Sequence, residues 1–211
     1  MTKKNNKGRP AQITKADIVE CALKIGLPKV SMHSLGKQLG VSATALYRHV
    51  SSKEELIAFC CDYIMAQVAI PSEIEWEPYL YTFARNFRSV LLFTPNSVEF
   101  IRYYQQFTPA SSILANDVLG VFRKAEFEAE VGFMAFAAVF TRVTDIVQHQ
   151  EQAEYLTHHS VDQKILPFDA EKLPNLAWLL NQAQAVDYEK YFEDGIKITI
   201  EGLKVVYRQS S

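Results

Sequence analysis

The stretch LGKQLGVSATALYRHV, residues 35–50, constrains this chain more than any other. Leu35 and Leu39 stand four apart, as do Leu46 and Val50, and Gly40, Val41 and Ser42 lie between the pairs. Apolar residues at that spacing line one face of a helix. Gly ends a helix by taking the left-handed conformation, and Ser opens one by accepting a hydrogen bond from a free backbone N–H. The stretch therefore predicts two short helices joined by a tight turn, with Val41 as its apolar pin. The second helix is expected over ATALYRH, with Leu46 and Val50 inward and Ala43, Thr44, Ala45, Tyr47 and Arg48 outward. Such a pair is either a generic hairpin with a polar outer face or a helix-turn-helix, whose second helix enters the major groove of DNA. Small outward residues let that helix approach base edges, and an Arg fork bonds guanine in two places.

The flanks carry the same punctuation. Thr14 with Asp17 reads as a capping box opening a first helix, in which Ile18, Cys21, Ala22 and Ile25 recur until Gly26 and Pro28 stop it. Ser31 caps the helix that contains Leu35. Ser52 with Glu55 reads as a further capping box, opening a fourth helix with Leu56, Phe59, Cys60 and Tyr63 on one stripe, ended before Pro71. Beyond it, segments 75–93, 96–107, 111–123, 126–150, 174–184 and 187–208 carry apolar residues at spacings of three and four, and none reads as a strand. The expected fold class is all-α. The expected division is a flexible basic arm over 1–12, a four-helix module over 13–70 and a larger helical domain over 71–211.

Charge separates the same parts. Residues 1–53 hold ten Lys and Arg against Asp17 and Glu20, a net of +8, and the rest of the chain carries -10. A basic end on an acidic body suits an anionic polymer at that end, with Lys53 and the amide ends of the first and fourth helices placed for phosphate. A solvated basic face is the alternative. The apolar run VGFMAFAAVFT falls well short of the ~20 residues that span a bilayer, and the basic start has no apolar segment after it, so neither membrane insertion nor export is expected. A cytoplasmic protein follows. Cys21, Cys60 and Cys61 sit in helical patterns without zinc spacing and read as reduced packing residues; a redox role for the Cys60 and Cys61 pair stays open.

SMHSLGKQLGVSATALYRHVSSKEEL resembles the DNA-binding segment of the TetR (tetracycline repressor) family, through Leu35, Leu39, Gly40, Val41, Leu46, Tyr47, His49, Lys53 and Leu56. Gly36 stands where that family commonly has Ala, which implies a slightly weakened second helix. WEPYLYTFARNFRSVLLFTP and YFEDGIKITIEGL are similar to the opening and closing helices of the family's ligand-binding domain. The resemblance implies an N-terminal helix-turn-helix DNA-binding domain, a helical effector-binding and dimerisation domain, a palindromic duplex operator, a homodimer, and release by a small molecule. It implies DNA contact by His33, Ala43, Thr44, Ala45, Tyr47, Arg48, His49 and Lys53; His33 matches a position that can hold an Arg, and its shorter ring implies a weaker contact. It also implies pairing between copies through 126–150 and 187–208, whose apolar stripes are Phe133, Ala137, Phe140, Val143 and Val147, then Phe192, Ile196, Ile200 and Leu203.

The body is rich in rings. Phe83, Asn86, Phe87, Phe100, Tyr103, Tyr104 and Phe136 are the candidate effector-binding residues, suited to an apolar or aromatic molecule. Arg102, Gln105, Thr141 and Asp145 are further candidate polar handles. Phe83 and Ile101 fall where the tetracycline-repressor branch has an Asn and a metal-bound His, so its drug-magnesium site is not expected here. His158 and His159 read as neighbours in a loop without metal-binding geometry, and no metal or other cofactor is expected. No phosphate loop, nucleophile elbow or metal dyad is present in the sequence, so an enzyme is the remote alternative and a non-specific architectural DNA binder the nearer one.

Overall fold

The structure is a computed structural model that describes residues 13–159, 169–182 and 185–207. Its regular elements are helices: α1 Lys15–Ile25, α2 Met32–Leu39, α3 Ala43–Leu46, α4 Lys53–Met65, α5 Trp76–Phe93, α6 Ser97–Tyr103, α7 Pro109–Lys124, α8 Ala129–His158, α9 Pro174–Gln182 and α10 Tyr188–Val206. The fold is all-α, and there is no strand among the described residues. The expected arm over 1–12 lies outside those residues. Contacts divide the chain into two units, one running up to Ile70 and adding Ser89–Asp117, the other made of Pro71–Arg88 and Val118 onward. Helices α5 and α7 each contribute to both.

The first unit is punctuated by its caps. Thr14 and Asp17 form the reciprocal box, with the Asp17 N–H on Thr14 Oγ1 at 3.2 Å and the Thr14 N–H on Asp17 Oδ2 at 2.8 Å. Ser31 does the same with Ser34, at 3.0 and 2.9 Å. The box at Ser52 forms only by half: Glu55 N–H donates to Ser52 Oγ at 3.1 Å, but the Glu55 carboxylate accepts from Ser51 N–H and Oγ–H instead. Those bonds hold the Glu55 carboxyl below the usual carboxylate range. Gly26 and Gly40 close α1 and α2 at φ 81° and 68°. The core of this unit collects Ile18, Ala22, Leu35, Leu46, Val50, Leu56 and Cys60, all buried. The fourth-helix stripe is broader than expected, since Ile57, Cys61 and Ile64 are buried while Phe59 and Tyr63 are half-buried. Lys15 covers Phe59, its ammonium 4.1 Å from the ring centre.

In the second unit α8 and α10 pack along their length. Val143, Ile146, Val147, Phe192, Ile196 and Ile200 are each at most 1% exposed. Burial of side chains this size stabilises by roughly 1.5–3 kcal/mol each relative to exposure. The approach is close at Gly195, where a Cβ would lie 2.9 Å from Arg142 Nε and 3.2 Å from Ile146 Cδ1. Ion pairs tie α5 to α10: Arg85 grips Glu193 with two bonds, and Arg88 reaches Glu189 at 2.6 Å with its guanidinium over the Phe192 ring. Arg88 is nearly buried, whereas the Arg85 pair is largely exposed, where such contacts contribute only about 0–1 kcal/mol.

Several expectations are corrected here. The apolar stripe assigned to pairing between copies, Val143, Val147, Phe192, Ile196 and Ile200, is buried inside one chain, where α8 packs on α10 and both meet α5 through Phe140 on Phe87 and Phe192 under Arg88. The apolar residues left outside on these helices are Phe133, Met134, Ile198, Val205 and Val206. His158 closes α8 rather than lying in a loop, because α8 runs eight residues past the expected end at 150. Helix α9 is apolar, PNLAWLLNQ, yet buries none of its residues, with Trp178 66% exposed. If the interior stripe carries the unit, Ile196→Ala costs about 2–5 kcal/mol in urea unfolding at fixed protein concentration, while Ile74→Ala, 72% exposed and outside α8 and α10, stays within ~0.5 kcal/mol.

Candidate nucleic-acid interface

The reading head is built by a backbone approach. Gly36 is buried inside α2, and a Cβ there would sit 2.7 Å from the carbonyl oxygen of Val41. That carbonyl belongs to the turn, whose Val41 N–H in turn donates to Gly36 O at 2.9 Å. Residue 36 thus lets α2 and the turn touch, which is more than the mild loss of helix propensity expected from Gly. The signal was a glycine inside a helical pattern.

Helix α3 is shorter than the seven residues expected. It spans Ala43–Leu46, and the chain then continues in turns, His49 N–H bonding back to Leu46 O at 2.8 Å in a tightened step. Ser42 caps it, accepting from Ala45 N–H at 3.2 Å. Leu46 and Val50 are buried as expected, at 0% and 1% exposure. Ala43, Thr44, Tyr47 and Arg48 are exposed and form the outer strip, while Ala45 and His49 are half-buried. His33 is exposed on α2, and Lys53 is exposed as the first residue of α4. The amide ends of α1 and α4 carry Asp17 and Glu55, each bonded into its own cap. Those carboxylates leave the basic side chains, Lys53 foremost, as the better phosphate partners.

The candidate effector residues fall into separate groups. Phe83, Phe87 and Phe136 come together in the second unit: Phe83 and Phe87 stack at 5.5 Å, and Phe136 lies 4.9 Å from Phe83. Phe140, absent from the expected set, completes the cluster on Phe87 at 4.8 Å. Asn86 is half-buried in the same unit. Phe100, Tyr103 and Tyr104 belong to the first unit, where Phe100 is buried, Tyr104 half-buried and Tyr103 60% exposed. Arg102, Gln105, Thr141 and Asp145 are exposed. Thr141 and Asp145 instead line an outward groove on α8 and α10 with Met134, Ala137 and Thr199, about 500 Å³ in volume. A second aromatic cluster joins Trp76, Phe122 and Phe127, with centroids 5.3–6.0 Å apart.

A capped two-helix reader with a small-residue strip, carried on an all-helical chain, defines a helix-turn-helix DNA-binding regulator. Residues 18–59 match the model of bacterial regulatory proteins of the tetR family, and residues 70–207 match that of the tetracyclin repressor-like C-terminal domain. The chain belongs to the TetR family of ligand-responsive transcriptional regulators. Members of that family bind DNA operators as dimers and bind small-molecule effectors. An HTH-type transcriptional regulator of Saccharopolyspora erythraea is 25% identical over 203 residues, covering 90% of this chain and 84% of its own. The crystal structure of ActR from Streptomyces coelicolor with (S)-DNPA is 25% identical and matches at a TM-score of 0.72, covering 92% of this chain and 98% of ActR. ActR with actinorhodin matches at 0.75 with 22% identity, over 95% of this chain and 100% of that one. A TetR variant from Acinetobacter baumannii with minocycline matches at 0.68 with 17% identity, over 94% and 97%. Among the described residues, no helix is long and apolar enough to cross a membrane.

All three cysteines are buried free thiols. Burial pushes the Cys60 thiol far up and, reinforced by the neighbouring Asp62, the Cys61 thiol to about 12. At pH 8 only roughly one such thiol in ten thousand is ionised, and the thiolate is the reactive form. A thiol-reactive dye should therefore count three thiols in denaturant, and leave Cys60 and Cys61 uncounted in the native protein over the time the unfolded chain takes to react.

Proposed function

We propose that the chain is a homodimeric repressor that binds a palindromic duplex operator, one α3 per half-site, and is released by a small apolar or aromatic effector. The observation that carries the DNA part is the outer strip Ala43, Thr44, Tyr47 and Arg48, exposed along α3 and the turns that follow it, with Leu46 and Val50 buried beneath. Small residues bring the helix axis close to base edges, and Arg48 supplies the fork for guanine. The outward apolar residues Phe133, Met134, Ile198, Val205 and Val206 on α8 and α10 support pairing of two copies through those helices. The ring cluster Phe83, Phe87, Phe136 and Phe140 supports an apolar or aromatic effector, as does the actinorhodin complex of a similar fold. Cytoplasmic location follows from access to DNA.

Selection of bound duplexes from a random pool tests the reading, and a two-fold symmetric consensus is the expected product. Recovery of no consensus, with similar binding to all sequences, would favour an architectural binder, since a specific regulator prefers its site by a factor of ~10³ or more. On the selected site Arg48→Ala costs about 1–3 kcal/mol and relaxes preference at one base pair. Lys53→Ala weakens all sequences alike and lowers the salt slope by about 1. Uniform loss across a site library in both variants would remove Arg48 from base readout.

The effector reading has its own measurement. Lipophilic aromatic compounds screened by thermal shift should include binders that lower operator affinity roughly 5- to 150-fold, the range of ordinary allosteric coupling. Phe87→Ala should blunt that response. Operator release by tetracycline with magnesium, and by no apolar compound, would reject it.

A further inference from the structure

We propose that Asp62 is a positioning residue for DNA binding: it locks α4 to the first turn of α7 and so fixes the pose from which the reading helix is presented. This rests on the DNA-binding reading above. The first N–H groups of a helix have no partner within it and must find one elsewhere. In α7 the first residue is Pro109, which has no N–H. Thr108 and Ser111 satisfy each other, Ser111 N–H donating to Thr108 Oγ1 at 3.2 Å and Thr108 N–H to Ser111 Oγ at 2.7 Å. The intervening N–H, that of Ala110, donates to Asp62 Oδ1 at 2.8 Å, across 48 residues of sequence. A carboxylate is also the group that a helix N-terminus favours electrostatically.

The neighbouring residue doubles the tie. Cys61 donates its thiol hydrogen to the carbonyl of Phe100 in α6, at 3.2 Å. Two consecutive residues of α4 are thus bonded to fixed backbone groups of α6 and of α7. Apolar packing by Ile57, Cys60 and Ile64 is non-directional and tolerates sliding and rotation of α4; a hydrogen bond to a helix terminus does not. Helix α4 begins at Lys53, three residues after Val50, the inner anchor of the reading helix, so its pose is the pose of the reader. At its other end α7 runs on to Lys124, and its Val118 and Phe122 are buried in the second unit. The Asp62 carboxylate therefore joins the reading head to the first turn of α7.

The full-length chain, Asp62→Ala and Asp62→Asn are compared on the duplex selected by the wild type and on random duplex, at a temperature where circular dichroism finds each folded. Loss of a charge-assisted bond predicts that Asp62→Ala loses about tenfold or more in affinity for the selected duplex, while random-duplex binding stays within about twofold. Asp62→Asn keeps an Oδ1 acceptor for the Ala110 N–H and restores most of the loss. Hydrogen exchange supplies an arm independent of DNA: Asp62→Ala speeds exchange at the start of α7 and along α4, and leaves α8 unchanged. Unchanged exchange, unchanged specific affinity in Asp62→Ala, equal loss on specific and random duplex, or failure of Asn to restore would each overturn the proposal. A wild type that selects no duplex would instead sink the DNA-binding reading, with the exchange arm still deciding the tie.

Discussion

Val41 places its carbonyl oxygen where residue 36 would carry a Cβ, and the reader depends on that approach. Because α2 and its following turn touch backbone to backbone, the turn needs only Gly40, Val41 and Ser42, and α3 starts at once under the Ser42 cap. Leu46 then drops into the core with Leu35, while Ala43 and Thr44 of the short helix are turned outward. A bulkier residue at 36 would push the turn away, and with it the direction of the outer strip.

The second unit solves a different problem, how one chain can hold a rigid frame while leaving apolar surface outside. Helices α8 and α10 each carry apolar residues on more than one side. Val143, Ile146, Val147, Phe192, Ile196 and Ile200 are buried within the unit, and Gly195 makes room for the Arg142 side chain lying over Tyr191. Arg88, held among Glu189, Gln150 and the Phe192 face, orients the start of α10 against α5. A nearly buried charge is tolerated because its hydrogen bonds and the ring face replace much of its lost hydration. What stays outside on α8 and α10 is apolar surface, and what stays inside around Phe83 and Phe87 is a cluster of packed rings.

Charge and structure meet at the helix ends. The basic N-terminal quarter carries Lys15, Lys37, Arg48 and Lys53 on an exposed surface, yet α1 and α4 each begin with a carboxylate in the cap. Asp17 and Glu55 stabilise those helices by satisfying free N–H groups, and they restrict where a phosphate gains by approaching. A net positive quarter favours the approach of an anionic polymer, whereas the capped carboxylates oppose a phosphate at those two helix ends.

The sequence by itself determined what depends on near neighbours. The caps at Thr14, Ser31, Ser42 and Ser52, the glycine stops at 26 and 40, and the inward pair Leu46 and Val50 follow from spacings of three or four residues, because hydrogen bonds and side-chain faces in a helix repeat on that scale. Tertiary structure decided what depends on residues far apart. It ended α3 after four residues, diverted the Glu55 carboxylate from Ser52 to Ser51, buried the α8 and α10 stripes within one chain, gathered Phe140 with Phe87, and sent the Ala110 N–H to Asp62. Periodicity marks a face as apolar but carries no address for the surface that covers it, and a lone Asp gives no sign of a helix terminus 48 residues away. Only closure of the chain assigns those partners, since each is chosen by which backbone groups and apolar faces the fold leaves within reach.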